Sequence, residues 1–177
     1  MSVSKIKATV FSQEQLASDV FSMWLEVGSI ASEAKPGQFI SVYSNDDSKL
    51  LPRPISICEI DREKGRLRIV YRVVGYGTKE FSGCKAGTHW RLWGLLANGY
   101  TLKKDKAILV AGGIGVPRCW SLPKSWTVRR PSFSVIEMSC FRIKNLSNMA
   151  KSLLPQRYRT AAVTKGNVLE CYSCGRV

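Results

Sequence analysis

Arg53-Pro54-Ile55-Ser56-Ile57 sets a fixed positive charge, a rigid proline and a hydroxyl side by side. Further along come Val70-Tyr71-Arg72 and then Gly75-Tyr76-Gly77-Thr78. Arg53 can neutralise a phosphate. Pro54 fixes its own φ, lacks an N–H and keeps the preceding residue extended. Ser56 can hydrogen-bond a polar ring edge, Tyr71 offers a ring face and Arg72 a second cation. Gly77 and Thr78 allow a phosphate to approach backbone N–H groups where a helix begins. An isoalloxazine ring needs a flat apolar ledge, backbone groups for its polar edge and a cation for its pyrophosphate. Arg-Pro alone reads equally well as the entry to a strand. The three segments, present and in order, point to a flavin and hence to redox chemistry.

A second glycine group, Gly112-Gly113-Ile114-Gly115, follows the apolar run Lys106–Ala111. Glycines after a buried strand let a dinucleotide pyrophosphate approach the next helix N-terminus. The same triplet also serves a tight turn, and Pro117–Pro123 lacks the spacing of an amphipathic helix. His89 is the sole histidine. It lies on a strand-like run beside Trp90 and reads as a surface or core residue, so no catalytic residue is assigned.

The elements that must position these groups are short strands. Ile6, Ala8 and Val10 alternate, and Val20–Val27 forms a second run. Pro36-Gly37-Gln38 is a turn into Phe39–Tyr43. Ile55–Ile60 and Leu67–Val74 flank the charged turn Asp61–Gly65. Gly77–Phe81 opens a short helix, and Lys85-Ala86-Gly87 turns into His89–Trp93. Strands at this spacing predict an antiparallel Greek-key β barrel over 1–102. The apolar run ending in glycines then starts a parallel α/β, Rossmann-like domain over 103–177.

The chain has 177 residues, 45% of them hydrophobic and 23% charged, as in an ordinary globular protein. Its net charge of +14 is unevenly spread. Residues 1–117 hold 16 basic and 11 acidic side chains, and residues 118–177 hold 11 and 2. No basic run interleaved with aromatics tracks a nucleic-acid backbone, so no nucleic-acid partner is expected. No apolar stretch is long enough to span a membrane. The N-terminus lacks the apolar core of a secretory signal, and a cytoplasmic location is the expectation. Cys58, Cys84, Cys119, Cys140, Cys171 and Cys174 then read as reduced thiols. Cys171-x-x-Cys174 has no second pair, so no metal ligands are assigned.

Residues 1–117 resemble the electron-transfer subunit of type B dihydroorotate dehydrogenase, within the ferredoxin–NAD(P)+ reductase-like superfamily. The likeness rests on Pro36–Phe39, Arg53–Cys58, Ile69–Gly75, Gly77-Thr78-Lys79 and Ala111–Pro117. It implies FAD contacts at Arg53, Pro54, Ile55 and Ser56, at Val70, Tyr71 and Arg72, and at Gly77 and Thr78. It implies NADH at Gly112, Gly113 and Gly115. Electrons would pass between NADH, FAD and a 2Fe-2S cluster, to or from an FMN-containing catalytic subunit that oxidises dihydroorotate in pyrimidine biosynthesis. Another ferredoxin–NADP reductase-like subunit, or a non-catalytic flavin-binding fragment, is the alternative. Where the family has Gly-Pro-Leu-Gly-Asn-Gly, this chain has Gly94-Leu95-Leu96-Ala97-Asn98-Gly99.

After Pro117 the resemblance breaks off. Degenerate codons for Arg118–Thr127, Pro131–Phe141 and Asn148–Arg157, regrouped one base earlier, permit an amphipathic helix and two strand-like segments of the family's kind. Thr164–Leu169 resembles the family again in the ordinary frame. The tail therefore reads as frame-shifted and truncated, with 118–177 expected to be disordered or poorly packed. The family's cluster cysteines lie in a segment beyond this tail. FAD binding is the step this chain is expected to retain.

Overall fold

The computed structural model describes residues 5–101, 108–111, 113–122, 132–137 and 163–165. The chain divides into two compact units, Met1–Leu102 with Pro117–Ser125, and Lys103–Val116 with Trp126–Val177. Pro117–Ser125 groups with the first unit.

The first unit is a closed barrel of six antiparallel strands in the order β1-β2-β5-β4-β3-β6. These are β1 (Lys5–Ala17), β2 (Val20–Glu26), β3 (Phe39–Val42), β4 (Arg53–Asp61), β5 (Arg66–Arg72) and β6 (His89–Leu96). Two helices interrupt them, α1 (Ile30–Glu33) and α2 (Tyr76–Ser82). On β6, Trp90 and Leu92 point inward while His89, Arg91 and Trp93 point out, the period of two that a strand with one buried face requires. Closure leaves the sheet without a free edge.

Met23, Leu25, Ile40, Ile57, Leu67, Ile69 and Leu92 fill the interior, with Phe81 of α2 and Trp90 beside them. Each such side chain contributes about 2 kcal/mol relative to leaving it in water. Pro117 and Leu122 are buried in this unit too. Arg118, in the short helix α3 (Val116–Cys119), donates from Nη2 to the Gly37 carbonyl at 3.1 Å. Its guanidinium carbon lies 5.6 Å from the Tyr100 ring centroid. Gly37 must be glycine, because its φ is +87° and a Cβ would sit 2.4 Å from the Tyr100 ring. Residues 118–122 thus pack within the first unit. The physical reason is local: Arg118 finds both a carbonyl and a ring face, and Leu122 a buried seat.

In the second unit β7 (Ile108–Ala111), β8 (Ser132–Glu137) and β9 (Val163–Lys165) form a parallel sheet in that order. β7 matches the apolar run read from the sequence, whereas β8 and β9 lie in the tail, where no strand was assigned in the ordinary frame. The remainder of the tail lies outside the described residues. Among the described residues, no helix is long and apolar enough to cross a membrane.

Candidate functional site

Arg53–Ser56 forms the first half of β4, and β3 holds it there. The register is Val42↔Arg53, Ser41↔Pro54, Ile40↔Ile55 and Phe39↔Ser56. The second half of β4 pairs instead with β5, from Ile57↔Ile69 to Asp61↔Arg66. β5 continues past that ladder, and its Val70, Tyr71 and Arg72 pair with Ser22, Phe21 and Val20 of β2. Arg53–Ser56 and Val70–Arg72 therefore run beyond the end of their shared ladder without pairing with each other. Antiparallel strands held by outer neighbours but not by one another expose backbone groups between them, as a planar polar ring edge requires.

Within this opening, Ile55, Val70 and Tyr71 are buried, Ser56 and Arg53 half-buried, and Pro54 exposed. Arg53 Nη1 donates to the Leu51 carbonyl at 3.2 Å. Its stem passes over the first turn of α2. A Cβ built on Gly77 would lie 2.8 Å from Arg53 Nε and 3.2 Å from Cγ. Gly77 thus admits the arginine, and the two segments meet although they are far apart in sequence.

Thr78 is buried and its hydroxyl knots the turn into α2. Oγ1 accepts from the Val74 N–H at 2.9 Å and the Gly75 N–H at 3.2 Å, and donates to the Gly75 carbonyl at 3.0 Å. The first N–H groups of a helix lack intrahelical partners. Those of α2 begin beside the Arg53 side chain.

Two side chains differ from the sequence expectation. Tyr71 does not turn its ring outward. The ring is stacked on Phe21 at 5.9 Å and meets Phe81 edge-on at 6.0 Å, and its hydroxyl donates to Gln13 Oε1 at 2.9 Å. Tyr71 therefore offers the opening its backbone, not a ring face. Arg72 Nε lies 2.9 Å from Asp19 Oδ2, so its charge is already partnered across the β2–β5 edge.

A latch that sequence reading missed holds the loop before β4. Ser44 donates to Glu80 Oε2 at 2.5 Å, and the Asn45 N–H to Glu80 Oε1 at 3.0 Å. Tyr76 donates to Asp46 Oδ2 at 3.2 Å, and Lys49 Nζ sits 5.0 Å from the Tyr76 ring centroid. Asp46 also accepts from the Ser48 N–H and hydroxyl. These Ser48 bonds hold the Asp46 carboxyl below its ordinary value. The Asp46-x-Ser48 spacing was the available signal, since aspartate commonly caps its own turn two residues on. Exposed Leu50, Leu51, Val74 and Tyr76 flank the same region.

Gly113–Gly115 forms a single 3-10 turn, with Gly113 buried at φ +51°. Gly112 lies outside the described residues. A Cβ on Gly115 would meet nothing within 4 Å, so space alone does not demand glycine there.

The residues present fit FAD: Arg53 as cation, Gly77 leaving room for the arginine stem at a helix start, and open strand ends. For a 2Fe-2S cluster the described residues do not fit. Among them no group of three or more histidines, cysteines or acids is placed to hold a metal, and Cys171 and Cys174 lie outside them.

No protein-family model matches the chain. An electron-transfer subunit of dihydroorotate dehydrogenase B (NAD(+)) from Lysinibacillus sphaericus is 33% identical over 193 aligned residues, covering 96% of this chain and 73% of the relative. The chain belongs to the family of dihydroorotate dehydrogenase B electron-transfer subunits. The Streptococcus mutans subunit is 41% identical over 119 residues, 65% of this chain and 46% of the relative. The Fusobacterium nucleatum subunit is 38% identical and matched over 49% of its length. The chain spans about half the length of these two relatives.

Solved structures that share the fold of this chain include reductases. An NADH-dependent reduced ferredoxin–NADP oxidoreductase superposes with TM-score 0.74 at 21% identity, covering 94% of this chain and 62% of the other. Phthalate dioxygenase reductase, which carries electrons from pyridine nucleotides to [2Fe-2S], superposes with TM-score 0.68 at 19% identity, covering 94% and 54%. At such identities the likeness concerns fold alone.

Proposed function

We propose that this chain is a flavin-binding electron-transfer module that serves the oxidation of dihydroorotate in pyrimidine biosynthesis. Arg53–Ser56, the backbone of Val70–Arg72, and Gly77–Thr78 hold FAD. The observation that carries the reading is the close seat of Arg53 over Gly77, which brings a cation and a helix start to one place. When bound, FAD takes up a hydride and can release electrons one at a time.

The chain's own groups have defined tasks. Arg53 and the N–H groups at the start of α2 meet the pyrophosphate, where fixed donors in a partly dry site are worth more than in water. The β4 and β5 backbones meet the polar ring edge, and Ile55 and Val70 give an apolar wall. Thr78 keeps the turn in the shape that allows the approach. Gly112, Gly113 and Gly115 after β7 are the proposed seat of NADH. No step is assigned to a cluster, since the described residues supply no ligands for one.

The partner is an FMN-containing dihydroorotate dehydrogenase catalytic subunit, and the setting is the cytoplasm. The tail is proposed to derive from a shifted reading frame, which the coding DNA tests directly. FAD binding is then the step this chain retains by itself. Mixing the FAD-loaded chain with the catalytic subunit tests the assignment. A complex that carries both flavins through gel filtration is the expected result, and a chain that binds neither FAD nor the subunit would refute it.

A further inference from the structure

Gln13 lies on β1, opposite Met23 of β2 and remote in sequence from every part of the flavin clasp. Its amide nitrogen donates to the carbonyl oxygens of Phe81 at 3.2 Å, Ser82 at 3.1 Å and Cys84 at 3.3 Å. These carbonyls close the C-terminal end of α2, where helix carbonyls lack intrahelical partners. The side-chain oxygen accepts from the Tyr71 hydroxyl at 2.9 Å and from the Cys84 thiol at 3.5 Å. Three acceptors on one side and two donors on the other leave the amide one sensible orientation.

Both donors keep their protons at neutral pH, because burial pushes the Tyr71 phenol and the Cys84 thiol up. The Tyr71 ring also meets Phe81, which belongs to α2. One side chain of β1 therefore grips the strand that carries Val70–Arg72 and the helix whose first turn holds Gly77 and Thr78. No other described hydrogen bond joins Tyr71 and α2 through a single residue.

The geometry points to Gln13 as a positioning residue for the flavin clasp: it sets the spacing between Val70–Arg72 and the seat of α2. This inference rests on the flavin reading of those segments. A half-buried amide that only stabilised the barrel would alter unfolding and leave the shape of the clasp unchanged. A positioning amide alters how flavin is held in the folded protein.

The test uses the full chain, with FAD alone as the probe. Gln13→Met keeps the length of the side chain and removes its hydrogen bonds. Tyr71→Phe keeps the ring and removes the hydroxyl. Val10→Ala, a core truncation on the same strand, is the control for lost stability. FAD affinity is read by flavin fluorescence, the environment of bound flavin by visible circular dichroism, and stability by thermal unfolding. Gln13→Met is expected to bind FAD about tenfold more weakly, with an altered dichroism band. Tyr71→Phe should weaken binding less, and should add little on top of Gln13→Met, as partners in one network do. Val10→Ala should unfold earlier yet keep both affinity and band.

Wild-type affinity and dichroism in Gln13→Met would overturn the inference and leave the flavin reading standing. If Gln13→Met does not fold, unchanged affinity in Tyr71→Phe overturns it equally. A wild-type chain that binds no FAD removes both.

Discussion

The Arg53 side chain lies against Gly77 so closely that a Cβ on the glycine would stand 2.8 Å from its Nε. The pair joins the start of β4 to the start of α2. Gly77→Ala should therefore displace the arginine stem without breaking the helix. Alanine favours a helix over glycine by about 1 kcal/mol, which offsets part of the crowding. The melting temperature should stay within a few degrees of wild type, and FAD affinity should fall about tenfold. Fluorescence titration beside thermal unfolding checks both, and a variant binding FAD as tightly as wild type speaks against this role of the pair.

Arg53→Ala should discriminate between flavins. Charge-assisted hydrogen bonds contribute about 1.5–3 kcal/mol, so FAD affinity should drop roughly tenfold to a hundredfold. Riboflavin, which has no phosphate, should bind wild type and variant alike. Parallel titrations with the two ligands decide it. An equal loss for both would mean that Arg53 shapes the ring site and not the phosphate site.

Thr78→Val should loosen the turn, since valine keeps the shape and loses the hydroxyl shared by Val74 and Gly75. The expected loss of stability is about 1–2 kcal/mol, measured by urea unfolding. Thr78→Ser should recover most of it.

Much of the barrel was legible in the sequence because its strands alternate, as β6 does with Trp90 and Leu92 facing in. The orientation of Tyr71 was not legible. Leu67–Tyr71 is buried continuously, so alternation cannot say which ring faces the opening. The Arg72–Asp19 pair depends on the β2–β5 register, which no local pattern reveals. Gln13 sits among half-exposed residues of β1, and its partners are about sixty to seventy residues away. β8 and β9 were missed for a related reason: short parallel strands are selected by non-local pairing more than by period. In the clasp, residue types were readable and their contacts were not.

The loop latch should respond to acid. Asp46 has its carboxyl lowered in the folded protein, first by the Ser48 hydrogen bonds, from an ordinary value of 3.8. A lowered folded value means the contribution is complete above 3.8 and is lost as pH falls through the folded value. The stability difference between wild type and Asp46→Asn should thus be flat at neutral pH and shrink in acid. Urea unfolding across pH reads it, and a difference that grows on acidification contradicts the assignment.

The most direct measurement is the visible absorbance of the purified chain after incubation with FAD and removal of free ligand. A retained flavin spectrum, with about one FAD per chain and loss of that signal in Arg53→Ala, is the predicted result. A folded chain that emerges colourless would contradict the central claim that Arg53, Gly77 and the open ends of β4 and β5 form a flavin site.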